Sequence, residues 1–174
     1  SAGDPSVAVP FTTHLFLHAG WLHLAGNMLY LWIFGNNVED ALGRPGFVVA
    51  YLAFGVLAAT AQIAMDPVST VPLVGASGAI SGVLGVYVVL FPRARVLSLV
   101  FLGFFYQLMQ VPAVVLLGLW FLLQLLSGVA SLGAASDGGV AVFAHIGGFV
   151  SGLAVGVVIR LACWRGRSVP DTAR

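Results

Sequence analysis

Ser77 lies in the stretch VGASGAISG (Val74–Gly82), inside a run from Pro67 to Pro92 that carries no charge. A serine hydroxyl is a weak nucleophile until a neighbouring base takes its proton, and histidine, with an ordinary pKa of about 6.5, suits that task. His145 stands near the head of a second glycine-rich apolar run, AHIGGFVSGLAVG (Ala144–Gly156). No acid accompanies it at matching depth, since Asp137 is eight residues earlier in a loop and Asp66 is in another. The pair would therefore form a dyad rather than a triad. A third stretch, HAGWLHLAGN, supplies His18, His23 and Asn27. His23 and Asn27 are four apart, hence on one helix face. Amide hydrolysis passes through a tetrahedral oxyanion that needs donors aimed at it. The Asn27 side chain, the His23 ring and the Ser77 backbone N–H could supply three.

Each residue also has an ordinary structural reading. A serine in a glycine-rich membrane helix usually packs, and a lone membrane histidine usually bonds a neighbouring helix. Ser81, one turn beyond Ser77, keeps the packing reading. Ser77 differs because it opens the helix, where unpaired N–H groups and the positive dipole end suit an oxyanion. His14 and His18 are also four apart, but zinc takes three or four ligands and no H-E-x-x-H pattern is present, so no metal site is expected. No cofactor is called for. The single Cys163 excludes an internal disulfide.

The elements that must position these residues are written in the composition. The chain of 174 residues is 60% hydrophobic and only 7% charged, with a mean hydropathy of +1.04. A soluble domain carries about 25% charged residues, so an integral membrane protein surrounded by lipid is implied. Nucleic acid is not an expected partner, because no basic patch exists beyond helix ends. Five charge-free stretches, 5–38, 45–65, 67–92, 96–136 and 138–159, each hold the ~20 apolar residues a bilayer crossing needs. With no strand-like alternation, the fold class read here is all-α, a polytopic bundle forming a single domain over 1–174. An outer loop (1–19) is followed by helices near 20–41, 46–65, 76–91, 111–130 and 142–162, then a cytoplasmic tail (163–174). Residues 96–110, VLSLVFLGFFYQLMQ, admit a half-span, an interfacial hairpin or the start of a long helix; they are read as a membrane-associated segment that returns to the side it left. On this layout all seven arginines fall on one side, and Asp4, Asp66 and Asp137 on the other. The positive-inside rule makes the arginine side cytoplasmic.

Counting along the helices gives depth. Ser77 is 16 residues from Arg93, His23 is 16 from Glu39, and His145 is 15 from Arg160. At a rise of about 1.5 Å per residue, each lies roughly 22–24 Å from a charged cytoplasmic boundary. The hydrocarbon is about 30 Å thick, so all three share a plane below the outer surface, where polar groups are costly and tend to be functional. Gly148, Gly152 and Gly156 recur every four residues, as do Gly78 and Gly82 after Ser77. Such faces let helices approach closely and would bring Ser77 and His145 together.

Taken in this order, HAGWLHLAGNMLYLW, GASGAISG and AHIGGFVSGLAVG resemble the second, fourth and sixth transmembrane helices of the rhomboid family of intramembrane serine proteases, and GNNVEDALGRPGF resembles its turn after the second helix. The resemblance implies Ser77 as nucleophile in a Gly75–Ser77–Gly78 motif and His145 as general base. It implies an oxyanion hole of His23, Asn27 and the Ser77 backbone, with His18 structural near the site. It further implies five spans here, with the family's first helix outside this chain, and a fifth helix, around 111–130, that gates lateral access. Cleavage of transmembrane protein substrates near the outer face of a cell (inner) membrane would be the activity. Where some members carry an aromatic residue four positions after the nucleophile, stacked on the base, this chain has Ser81. Two other readings are an inactive rhomboid-like protein that binds membrane clients, and a small channel or transporter. Reaction of Ser77 with a fluorophosphonate separates the first from a protease; solute flux without cleavage marks the second.

Overall fold

Small residues dictate the centre of this molecule. In the computed structural model, which describes residues 10–68, 72–103, 105–131 and 141–164, the most deeply buried helix is α4 (Ser77–Leu90), whose residues Gly78–Tyr87 are all buried. Its glycines let neighbours reach the backbone. A Cβ at Gly152 of α6 (Val142–Trp164) would overlap the carbonyl oxygen of Gly82, and one at Gly148 would overlap that of Gly78. A Cβ at Gly85 would in turn overlap the Phe149 carbonyl oxygen. The α4–α6 contact is thus backbone against backbone, the arrangement small-residue repeats permit in membranes.

Two longer helices enclose this pair. They are α2 (Trp21–Leu42) and α3 (Arg44–Met65), joined through Gly43 alone. Gly43 has φ +71°, a left-handed conformation that glycine adopts without strain, and it closes α2 through its N–H to the Glu39 carbonyl (2.7 Å). Pro45 then lies in the first turn of α3, where its missing N–H costs nothing. From α3, Phe54 fills the groove over Gly82, with 1% of its surface exposed. Arg44 Nε lies 3.3 Å from Glu39 Oε1 across the turn, but the arginine is 92% exposed, so the pair contributes little to stability.

Outside this core the surface is greasy: Trp32, Val49, Leu122, Val158 and Leu161 are all exposed. A protein with small residues within and large apolar ones without suits hydrocarbon as its solvent. Among the described residues, 44–65 and 142–162 form helices long and apolar enough to cross a bilayer unaided, while 77–90 and 113–126 are shorter apolar helical segments. The expected count of five spans therefore stands at two clear span-length helices.

Three features depart from the sequence expectation. The fold is mostly helical but not all-α: β1 (Arg95–Leu102) and β2 (Phe105–Pro112) pair antiparallel, with Leu102 opposite Phe105 and Arg95 opposite Pro112. Gly103, at φ +70°, serves the tight connection. The hairpin's two ends are adjacent, and the Ala113 N–H donates to the Ala94 carbonyl (2.8 Å), so α5 (Ala113–Ser131) departs from the level at which α4 ends. Within the stretch expected as loop, residues 10–16 form a short helix α1 (Pro10–Thr13) and a 3-10 turn, His14–Phe16. Leu15 of that turn is buried over Gly55 of α3. Finally, α6 runs to Trp164, two residues beyond expectation. The expected positions of Asp4, Asp137, Arg165, Arg167 and Arg174, with the rest of the outer loop and tail, lie outside the described residues.

Candidate active site

The approach to α4 sets up the site. Gly75 has φ +116°, a conformation that other residues rarely adopt, and its N–H donates to the His14 carbonyl (2.9 Å). This ties the segment before α4 to the 3-10 turn. Ser77 then opens the helix. Its Oγ lies 2.7 Å from His145 Nε2, in the first turn of α6. That short contact depends on the closeness of the two backbones at Gly78 and Gly148. Gly78 also admits Ala58, whose Cβ would be 2.7 Å from a Cβ placed there. From α3, Gln62 accepts the Ala144 N–H (3.2 Å) and so secures the start of α6 beside His145.

His145 is 9% exposed, and its second nitrogen is also engaged: Nδ1 lies 3.2 Å from Gln124 Oε1 on α5. Trp120, one turn earlier on α5, sets its ring 6.0 Å from the imidazole, centroid to centroid. Ser81 is buried, and its hydroxyl donates to the Ser77 carbonyl at 2.6 Å. It is occupied in helix structure rather than turned toward His145.

On the other flank, α2 brings His23 and Asn27 against Gly75. A Cβ on Gly75 would stand 2.8 Å from His23 Nε2 and 3.6 Å from Asn27 Nδ2. Glycine is thus required here for space as well as for conformation. The Ala19 N–H donates to His23 Nδ1 (3.4 Å), which leaves Nε2 to carry the ring proton on the side facing Gly75. Asn27 is 7% exposed, and its Nδ2 is buried with no hydrogen-bond partner among the described residues. An unsatisfied buried donor costs about 1–3 kcal/mol, and such a group in a native structure calls for an explanation. His18 packs edge-on to His23 at 5.3 Å between centroids, and its Nε2 is also buried without a partner among the described residues. His18 and Ala76 border a mostly apolar cavity of about 840 Å³ between α2, α3 and the 3-10 turn; neither Ser77 nor His145 lines it.

Ser77, His145, His23, Asn27, Gly75 and Gly78 therefore occupy one neighbourhood, with His18 at its edge. Sequence reasoning missed Gln124, Gln62 and the His14 carbonyl. The two glutamines carried a signal, being polar residues inside apolar helices, that was not used.

Together these features describe a helical, lipid-suited protein in which a serine and a histidine meet below one end of the bundle. Comparison with known proteins agrees with that class. The Rhomboid domain family model matches residues 6–162, and the chain belongs to the rhomboid family, whose members are embedded in membranes. It is 37% identical over 98 residues to rhomboid-like protein 11 of the Arabidopsis thaliana chloroplast, a match covering 55% of this chain and 35% of that one. With the mitochondrial rhomboid protein 1 of Saccharomyces cerevisiae it shares 36% identity over 90 residues, 49% of this chain and 26% of the other. The rhomboid protease GluP of Bacillus subtilis is 44% identical over 73 residues, 42% of this chain and 14% of GluP. The matched regions thus span well under half the length of these relatives.

Proposed function

We propose that this chain is an intramembrane serine endopeptidase acting through a Ser77–His145 dyad. The observation that carries the reading is the 2.7 Å separation of Ser77 Oγ and His145 Nε2 in a partly buried setting. In the proposed reaction the Ser77 O–H donates to Nε2, and the imidazole takes its proton as Oγ attacks the scissile carbonyl carbon. The carbonyl oxygen gains negative charge and accepts from Asn27 Nδ2–H, His23 Nε2–H and the Ser77 backbone N–H. The donor on Asn27, for which no described protein group is an acceptor, supports that role: it is free to strengthen its interaction as an oxyanion forms, which is the differential stabilisation catalysis needs. His145 then protonates the departing amine. A water, deprotonated in turn by His145, hydrolyses the acyl-enzyme and restores Ser77.

The substrates we infer are transmembrane proteins, reaching the site from the lipid. The helices α2 to α6 serve as five membrane-crossing elements of a multi-pass protein. At about 1.5 Å per residue, α4 with its 14 residues is roughly 21 Å long, short of the ~30 Å hydrocarbon. With its end at the arginine boundary, its start at Ser77 lies below the opposite surface. The side is extracytoplasmic, in the inner membrane of a cell, by the arginine partition.

Reconstitution in liposomes with a generic single-span substrate tests the reading. Ser77→Ala and His145→Ala abolish cleavage while the protein stays folded, and Ser81→Ala retains substantial activity. A fluorophosphonate labels the wild type and not Ser77→Ala. Cleavage by Ser77→Ala, or a dead Ser81→Ala, would assign the wrong serine.

A further inference from the structure

A neutral imidazole has one ring proton, and its location decides whether the ring can act as a base toward Ser77. Nε2 faces Ser77 Oγ. To accept the serine proton it must be bare, so the ring proton belongs on Nδ1. That N–H is in a buried, apolar place and needs an acceptor. Gln124 Oε1, at 3.2 Å, stands where one is required. Serine hydrolases with a triad fill this place with a carboxylate, which fixes tautomer and orientation. An unpaired carboxylate would be expensive in a low-dielectric interior, whereas a carboxamide is neutral and still offers a good acceptor.

Gln124 does not act alone. Trp120 lies one turn before it on α5 and approaches the same imidazole. Phe121 stacks on Phe149, one turn beyond His145 on α6, at 4.5 Å between centroids. An aromatic neighbour of the base, which some family members carry four residues after the nucleophile, comes here from a different helix, while Ser81 turns to the Ser77 carbonyl.

We infer that Gln124 is the positioning residue of the dyad: its Oε1 accepts the Nδ1–H of His145 and holds the ring with Nε2 bare toward Ser77, with Trp120 steadying the ring. This rests on the Ser77–His145 reading above. Gln124 touches no reacting atom; it acts through His145. Because both contacts come from α5, the orientation of the base is tied to the docking of that helix on α6.

The test compares wild type with Gln124→Met, which keeps length and apolar bulk but removes the acceptor, and with Gln124→Glu, which keeps an acceptor oxygen. Losing a hydrogen bond that sets a catalytic tautomer lowers kcat by about tenfold or more. Gln124→Met shows that loss with KM nearly unchanged, and Gln124→Glu keeps clearly more kcat than Gln124→Met. Wild-type kcat in Gln124→Met, or an equal loss in both variants, overturns the inference. A second measurement needs no Gln124 variant to fold. In protein carrying ¹⁵N-labelled histidine, with His145 identified by loss of its signals in His145→Ala, the neutral His145 ring carries its proton on Nδ1. A proton on Nε2 overturns the inference. Activity in Ser77→Ala would overturn the dyad and this inference with it. An inactive Ser77→Ala beside a fully active Gln124→Met would overturn this inference alone.

Discussion

Asn27 shows how much a single side chain can be asked to do at this site. Its Nδ2 is buried without a partner among the described residues, and it sits one helical turn from His23, so both face Gly75. Removing one donor from an oxyanion hole costs a serine hydrolase about 10²–10³ in kcat, roughly 2.7–4 kcal/mol. In the proposed mechanism the Ser77 N–H and His23 remain, so Asn27→Ala lowers kcat well below wild type yet leaves Ser77 reactive toward a small phosphonate. Melting temperature separates this from packing: Asn27→Ala removes an unsatisfied donor and leaves stability close to wild type, whereas a packing role couples the lost activity to a lost Tm. Unchanged kcat would remove Asn27 from the site. That Ser77, His145, His23 and Asn27 lie near one another was legible because helices convert sequence distance into depth, and three near-equal depths from three helices are informative. Gln124 was not, since depth says nothing about azimuth. Which face of α5 turns toward His145 depends on how it docks after a connection whose length and path the sequence does not encode. The partner of His23 Nδ1 is a backbone N–H at Ala19, invisible to any reading of side-chain types.

Among the elements, the glycine faces of α4 and α6 were the most readable feature, and they carry a sharp contrast. Gly152 has no room: a Cβ there meets the Gly82 backbone, which cannot swing aside as a side chain can. Overpacking a core ordinarily costs about 1–3 kcal/mol, and here relief requires separating the helices that hold Ser77 and His145. Gly152→Ala therefore lowers the Tm and the cleavage rate together. Gly118 on α5 meets no described residue within 4 Å of the same added atom. Gly118→Ala leaves packing alone and improves helix propensity by up to about 1 kcal/mol, so its Tm is unchanged or slightly higher. Thermal unfolding in detergent checks both, and a wild-type Tm for Gly152→Ala would contradict the interlocked backbones. The hairpin at 95–112 was harder to read. Strands are recognised by alternation of apolar and polar residues, and VLSLVFLGFFYQLMQ is apolar on both faces, with Leu97, Leu99, Phe105, Tyr106 and Leu108 exposed. Its β-branched and aromatic content, with Gly103 at the turn, was the usable signal. The turn at His14–Phe16 escaped because its helical form serves contacts distant in sequence: both His14 and Leu15 are buried, with Leu15 over Gly55 and the His14 carbonyl accepting from the Gly75 N–H.

For the molecule as a whole, the hairpin bears on the proposed sidedness. Had residues 96–110 crossed the membrane, every later helix would run the other way and the arginines would be divided. Arg95 pairs instead with Pro112, so the chain returns to the level at which it left α4, and α5 runs back alongside the bundle. Arg160 on α6 donates from Nη1 to the Val89 carbonyl near the end of α4 (2.8 Å). Arg93, Arg95 and Arg160 therefore mark one end of the bundle. Asp66, at the far end of α3 from Arg44, lies toward the other. In the proposed orientation, which follows the positive-inside rule, the arginine end faces the cytoplasm and the proposed site opens on the opposite side, below the outer surface. Single cysteines test this in cells expressing the protein, in a Cys163→Ser background so that no other thiol competes. Asp66 and Arg93 are both exposed, so reagent access differs only by side. An impermeant maleimide added outside labels Asp66→Cys at once and labels Arg93→Cys only after the membrane is opened. Labelling of Arg93→Cys from outside would invert the bundle, carry Ser77 toward the cytoplasmic face, and direct the search for substrates to segments cut from within.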